Sequence, residues 1–381
     1  MNKIYFKNLN GIRFLLASLV LLHHIAVVMQ VCGIATIYQK IDALKAFGPV
    51  AVSLFFALSG FLITILLLKE KETTSTISLR RFYKARARRI LPIYYFIVLV
   101  HLYILPYTGL YNLETKLLLM DAQSFSYARI ELSAMQLHIW YFTLLPQVAL
   151  ALMVATANTF VPAGHVWSIG VEEVFYFIYP ILLKKYAHKF KKLMLYLFGL
   201  YYAITLIVFI TVYLVKVNII THTLCLRVVN FSIIMIIYNR VNCMFIGAVA
   251  AYIFIHKDAL LTRLTSIRIY YGSIIGILFL FIIGARVPFL THELYCIFFV
   301  CILLYLAKNN PTTFLEIPFM SYLGKISYGI YMYQMIAIFF AVYLYKSLAI
   351  HWLIIFPISF ILTILISILS YETLEKKIMN K

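Results

Sequence analysis

The chain has 381 residues, of which 64% are hydrophobic and only 12% charged, and its formal net charge is +20. Soluble domains carry roughly 25% charged residues, so this composition excludes an ordinary soluble globular protein. The positive charge does not indicate nucleic acid: the basic residues sit in short segments between apolar runs, as in cytoplasmic loops, and no base-stacking module is visible.

Apolar runs near the ~20 residues that cross a bilayer recur along the whole chain. They predict spanning helices over 12–32, 48–68, 90–106, 166–184, 193–215, 241–256, 268–285, 288–307, 326–346 and 351–370. The fold class expected is therefore all-α, a polytopic membrane helix bundle forming one domain over 1–381. Lys3, Lys7 and Arg13 precede the first run, and no convincing small-residue cleavage site follows it, so it reads as a retained helix.

A further apolar run, 137–157, competes for a crossing, and the loop charges weigh against it. The segment 69–89 holds Lys69, Lys71, Arg80, Arg81, Lys84, Arg86, Arg88 and Arg89 and is expected in the cytoplasm. If 137–157 crossed, Lys184, Lys185, Lys191 and Lys192 would lie outside. If it does not, they lie inside with Lys257, Arg263, Arg268 and the tail lysines Lys376, Lys377 and Lys381. Ten crossings with both termini cytoplasmic satisfy every basic loop, which makes 137–157 re-entrant or interfacial. The five cysteines form no CxxC pair, and neither a metal nor a disulfide framework is expected. No internal repeat of the kind common in transporters is visible.

Taken in chain order, the polar residues within apolar runs carry the chemical information. Arg13 and His24 lie 11 residues apart in the first run. On a helix that spacing gives ~20° in azimuth and ~16 Å along the axis, so both share one face. Intramembrane ionisable groups usually face an internal cavity, and imidazole suits general-base work. The same pair also fits a snorkelling Arg and a core His. His23 points ~100° away and reads as structural. In the second run, Ala57, Ser59 and Gly60 permit close approach of a backbone or a ligand, and Ser53 and Ser59 can hydrogen-bond. In 80–92, Arg86 and Arg89 are three apart and can grip phosphate on one helical face, whether from a ligand or from lipid headgroups.

The segment from His165 to Tyr179 is the most informative. If helical, it aligns His165, Ser168, Glu172, Tyr176 and Tyr179 in one polar stripe, with Glu173 pointing elsewhere. A carboxylate near a His can orient and charge-stabilise it. Carboxylates at a helix start are also favoured by the dipole alone. Arg240 and Asn242 at the start of the sixth predicted helix read as pocket groups or interface anchors. Tyr328, Tyr331 and Gln334 recur every three residues and either line a polar face or pack.

These motifs together resemble the membrane acyltransferase 3 family. Arg13 and His24 match its Arg, ten residues, His pattern, within Asn10-Gly11-Ile12-Arg13. Phe55 to Ile63 match its Phe-Phe-x-Leu-Ser-Gly-Phe-Leu-Ile pattern. Arg86, Arg89, Ile90 and Pro92 match its Arg-x-x-Arg-Ile-x-Pro, and Trp167 to Tyr176 match its Trp-Ser-Leu-x-Val-Glu-Glu-x-Phe-Tyr with Ile169 for Leu. Gly324 to Tyr331 match a late Gly-x-Ile-Ser-Tyr-x-Ile-Tyr-x-x-His pattern, except that Gln334 stands where His is usual. Five motifs in the right order cover nearly the whole chain.

The resemblance implies an integral membrane O-acyltransferase that moves an acyl group, acetyl first among the options, from cytoplasmic acyl-CoA to a hydroxyl of an extracytoplasmic or lipid-linked glycan. Acetyl-CoA would be a donor substrate, with no permanently bound cofactor and no metal. The expected roles are His24 and Glu172 as catalytic residues, and Arg13, Arg86 and Arg89 on the CoA phosphates. Trp167, Ser168, Tyr176 and Ser59 are expected on the acceptor side. The expected partners are the bilayer, acyl-CoA and the glycan, and the expected location is a bacterial inner membrane. A transporter or flippase for a lipid-linked saccharide or small anion shares the same polar residues and is the alternative reading. Neither the acceptor nor the acyl chain is legible, nor whether His24 acts as base or acyl carrier.

Overall fold

The computed structural model describes residues 6–34, 37–108, 110, 134–155, 163–219, 223–284, 287, 290–348 and 351–379. The described residues contain helices and no strand. In chain order these are α1 (Leu9–Val31), α2 (Asp42–Thr74), α3 (Leu79–Leu99), α4 (Ala134–Phe142), α5 (Pro146–Ala155), α6 (Trp167–Tyr186), α7 (Phe190–Lys216) and α8 (Thr223–Tyr238). There follow α9 (Val241–His256), α10 (Asp258–Leu264), α11 (Ile267–Ile282), α12 (Thr291–Asn309), α13 (Pro318–Lys325), α14 (Ser327–Leu348), α15 (Ile355–Ser370) and α16 (Lys376–Met379). Among the described residues, eight helical stretches are long and apolar enough to cross a membrane. One of them, Gly164–Lys216, joins two of the predicted spans, and the shorter Ile267–Ile282 accounts for another. The protein is a multi-pass, all-α membrane protein. Leu195, Leu200, Ile207 and Phe209 on α7 are exposed, as are Ile275 and Phe279 on α11. Such apolar faces are stable only against lipid.

Two elements differ from the sequence expectation. The basic stretch 69–89 is mostly helix, not loop. Lys69 to Thr74 continue α2 because Lys and Glu are good helix formers. The chain reverses at Ser75, whose φ is 59°. The buried carboxylate of Glu70 then accepts from Ser78 N at 3.2 Å and pairs with Arg81, fixing the start of α3. The second difference is α8, a helix within 216–240, where no element is expected. At 16 residues it is shorter than a typical span.

The run 137–157 forms two short helices, α4 and α5, neither of which reaches spanning length; its last residues, 156–157, lie outside the described residues. The break has an identifiable cause. Leu144 adopts φ 62°, Leu145 N donates back to Trp140 O at 2.8 Å, and Pro146 opens α5. This is a left-handed helix stop, which exposes the last carbonyls of α4. Two tyrosines of α3 satisfy them: Tyr94 donates to Tyr141 O at 2.8 Å and Tyr95 to Phe142 O at 3.1 Å.

The described chain divides into two compact units, Met1–Ile93 with Asn242–Lys381, and Tyr94–Val241. In the first unit, glycines set the closest helix contacts. Gly60 of α2 lies against the backbone of Met244, and Gly247 of α9 against the backbone of Ala57, with no space for a Cβ at either. Gly11 of α1 lies in the same way on Leu315, and Gly324 of α13 on Asn10. Asn8 fastens this end: its N donates to Glu316 Oε2 at 2.6 Å and its Nδ2 to Pro311 O at 2.8 Å. Ala17, Leu323, Ile326 and Ile330 form an apolar cluster joined by Phe14 and Phe55. In the second unit, α5 packs on α6 at Gly170, which touches Pro146 and Gln147, and on α8 through Ala151 and Ile234.

Candidate active site

In the first unit, α1 presents two opposite faces. Leu15 and Leu22 are 39% and 36% exposed and lie about 180° around the helix from Arg13 and His24. The leucines mark the lipid side, so Arg13 and His24 point into the unit. Arg13 Nη1 donates to Asn10 Oδ1 at 3.1 Å, and Asn10 Nδ2 to Ser321 Oγ at 3.5 Å. The arginine is thus held at the end of α1 that packs on α13. His24 is half-buried with its Nδ1 enclosed. Gln334 of α14 lies within electrostatic reach of His24; it is fully buried and donates from Nε2 to Tyr331 O at 2.8 Å. The residue that departs from the family pattern therefore lies near the proposed base.

His23 has a structural role, as expected. Its ring contacts Gly48 and its Nδ1 bonds the Tyr38 hydroxyl. Burial pushes the Tyr38 phenol well above its ordinary pKa, so it remains neutral at that contact.

Arg86 and Arg89 are partly buried on α3, three residues apart on one helical face. Arg86 lies over the Phe82 ring at 5.6 Å. Arg89 is within electrostatic reach of Glu375, a buried carboxylate that accepts from Ser370 Oγ at 3.1 Å. Tyr333 meets Ser370 Oγ at 2.8 Å, and Tyr328 donates to Ile90 O at 3.0 Å. Sequence reasoning missed Glu375, although an acid after a long apolar run is the same signal that marked Glu172. Ser59 lies half-buried on α2 beside Gly60.

A second polar group in this unit was also missed in part. Ser53 Oγ lies 3.0 Å from His292 Nδ1 and 3.1 Å from Pro49 O, and Asn242 Nδ2 bonds Glu293. Ser53 and Asn242 are legible as polar residues in apolar runs. His292 and Glu293, adjacent at the start of α12, carry the same signal and were passed over.

In the second unit, α6 carries the expected stripe. Ser168, Tyr176 and Tyr179 are buried on it, and Tyr176 donates to Glu172 Oε2 at 3.1 Å. His165 falls in a 3-10 turn before the helix, its ring 5.3 Å from that of His101. Trp167 meets Tyr238 of α8 edge-on at 5.0 Å. Glu173 points away from the stripe, into the reach of Tyr94 and Tyr95. His24, Arg13, Arg86, Arg89 and Ser59 thus belong to the first unit, and Glu172, Trp167, Ser168 and Tyr176 to the second.

The family model described as "Acyltransferase domain" matches residues 6–372. The chain belongs to this acyltransferase family. O-acetyltransferase OatA of Staphylococcus aureus (strain NCTC 8325 / PS 47) is 30% identical over 146 residues, 38% of this acyltransferase-family chain and 21% of OatA. OatA of Staphylococcus aureus (strain COL) gives the same values. The match thus spans about a fifth of the length of these curated relatives. No solved structure matches the chain.

Proposed function

We propose that the protein is an integral membrane O-acyltransferase that moves an acyl group, acetyl by the names of its relatives, from acyl-CoA to a hydroxyl of an extracytoplasmic or lipid-linked glycan. The observation that carries this reading is the inward face of α1. It places a guanidinium at one end and an imidazole ~16 Å deeper, opposite the lipid-facing leucines, in a chain of the acyltransferase family.

Arg13, Arg86 and Arg89 hold the phosphates of acyl-CoA in this reading. Arg is the suited residue because its planar fork binds phosphate oxygens in pairs. All three lie in the unit that contains His24. The proposed route brings the thioester along the inward face of α1. His24 then takes the proton of the attacking hydroxyl, or carries the acyl group briefly before passing it on. The sulfur of CoA leaves as thiolate or thiol, and the acceptor oxygen gains the ester bond. Gln334 fixes the imidazole's orientation without itself titrating. Glu172, held by Tyr176, is the second proposed catalytic residue, and Trp167, Ser168, Tyr176 and Ser59 are assigned to the acceptor. The proposed setting is a bacterial inner membrane with both termini cytoplasmic.

Purified protein in nanodiscs, given labelled acetyl-CoA and a glycan acceptor, is expected to yield covalent O-acetyl product. Counterflow of saccharide with no covalent product would instead identify a transporter.

A further inference from the structure

A carboxylate of the first unit stands beside one of the arginines that the proposed function places on the donor. Glu375 follows the last apolar helix, α15, and is 8% exposed, whereas the neighbouring acid Glu372 is exposed and pairs with Lys376 at 2.9 Å. The backbone explains the difference. After Ser370 the helix widens into a single π turn, Tyr371–Glu375, in which Lys376 N donates to Tyr371 O, five residues back. In a regular α-helix Ser370 and Glu375 would differ by about 140° in azimuth and face apart. The wider turn brings them together, and Ser370 Oγ donates to Glu375 Oε1 at 3.1 Å. Single π turns within helices are frequent at functional sites.

Helices α3 and α14 fix where this carboxylate stands. On α14 the Tyr333 hydroxyl meets Ser370 Oγ at 2.8 Å, and a Cβ added at Gly329 would lie 3.4 Å from Glu375 Oε1, so the carboxylate packs on the helix backbone there. The residue before Gly329 ties the same turn of α14 to α3: Tyr328 donates to Ile90 O at 3.0 Å. Arg89 precedes Ile90, and its charge acts on Glu375. Arg89 itself is only partly buried. A rigid, enclosed anion thus stands beside a guanidinium that stays partly exposed. Arginine carries five N–H donors on a flexible stem, so a fixed carboxylate can restrict the head without exhausting its donors. Such restriction favours phosphate binding, because less side-chain freedom is lost when the phosphate arrives.

We infer that Glu375 is a positioning residue of the donor site: held by Ser370 and packed on Gly329, it fixes Arg89 for the phosphates of acyl-CoA. The assignment rests on the function proposed above and adds to it a residue that acts through Arg89. A carboxylate that merely neutralised Arg89 would compete with phosphate, and its removal would tighten donor binding. Positioning predicts the opposite sign.

The test uses full-length protein in nanodiscs and the steady-state rate of acetyl transfer from labelled acetyl-CoA. Glu375→Gln keeps the size of the side chain and an acceptor for Ser370 but removes the charge. It is expected to raise the KM for acetyl-CoA about tenfold, with kcat within about twofold of wild type. Arg89→Ala is expected to raise the same KM, and Arg89→Ala/Glu375→Gln no further, because the carboxylate acts through the guanidinium. Melting temperature and size-exclusion profile identify a variant that fails to fold. In that case Ser370→Ala, which releases the carboxylate from its hydrogen bond, replaces Glu375→Gln with the same expected direction. An acetyl-CoA KM that is unchanged or lowered in the folded variant, or losses that add in the double variant, would overturn the assignment, while transfer by wild type leaves the enzyme reading standing. A wild type that transfers no acetyl group would overturn both.

Discussion

His24 was legible because a titratable residue inside an apolar run is costly and rarely accidental. Its face was legible too, since an 11-residue spacing fixes azimuth once helicity is granted. Its partner was not. Gln334 is a departure from a pattern in the sequence, and only the packing of α14 against α1 brings it within reach of His24. That contact gives a specific expectation. Gln334→Ala is expected to lower kcat about 3- to 10-fold with acetyl-CoA KM unchanged, the scale of one lost polar neighbour that positions the imidazole. Gln334→His, which restores the usual family residue, is expected to retain activity. Steady-state kinetics in nanodiscs check both. Glu172→Ala, in protein that inserts and melts like wild type, is expected to lower kcat about 10-fold or more, and an unchanged kcat would remove Glu172 from the proposed catalytic residues.

At the scale of elements, every predicted span has a helix, because runs of apolar residues near bilayer length leave little choice. What failed was the reading of charge as loop. The Lys- and Glu-rich end of α2 and the Arg-rich start of α3 are helical, since these residues favour helix and Glu70 secures the turn between them. Helix α8 escaped because its 16 residues fall short of a crossing. The break within 137–157 was inferred from charge balance. Its local cause, Leu144 in the left-handed region before Pro146, is visible only in the backbone. Tyr94 then becomes testable. Tyr94→Phe removes the shorter of two hydrogen bonds to the buried Tyr141 carbonyl, leaving Leu144 N at 3.3 Å, and is expected to destabilise the protein by about 0.5–1.5 kcal/mol. Gly247→Val forces a side chain into the Ala57 backbone and is expected to cost at least a similar amount. Thermal unfolding of detergent-purified protein measures both.

For the whole molecule, the proposed orientation rests on the basic segments. Cysteines placed at Lys191 and Lys257 are expected to be labelled from the same side of the membrane by an impermeant maleimide. Labelling from opposite sides would require an odd number of crossings between them. His24 is the group on which the proposed transfer depends. The most direct measurement is the rate of O-acetyl transfer from labelled acetyl-CoA by His24→Ala protein that inserts, purifies and melts like wild type. The expected result is a loss of about 10²-fold or more, the scale of general-base or covalent catalysis. A rate equal to wild type in that folded variant would contradict the assignment.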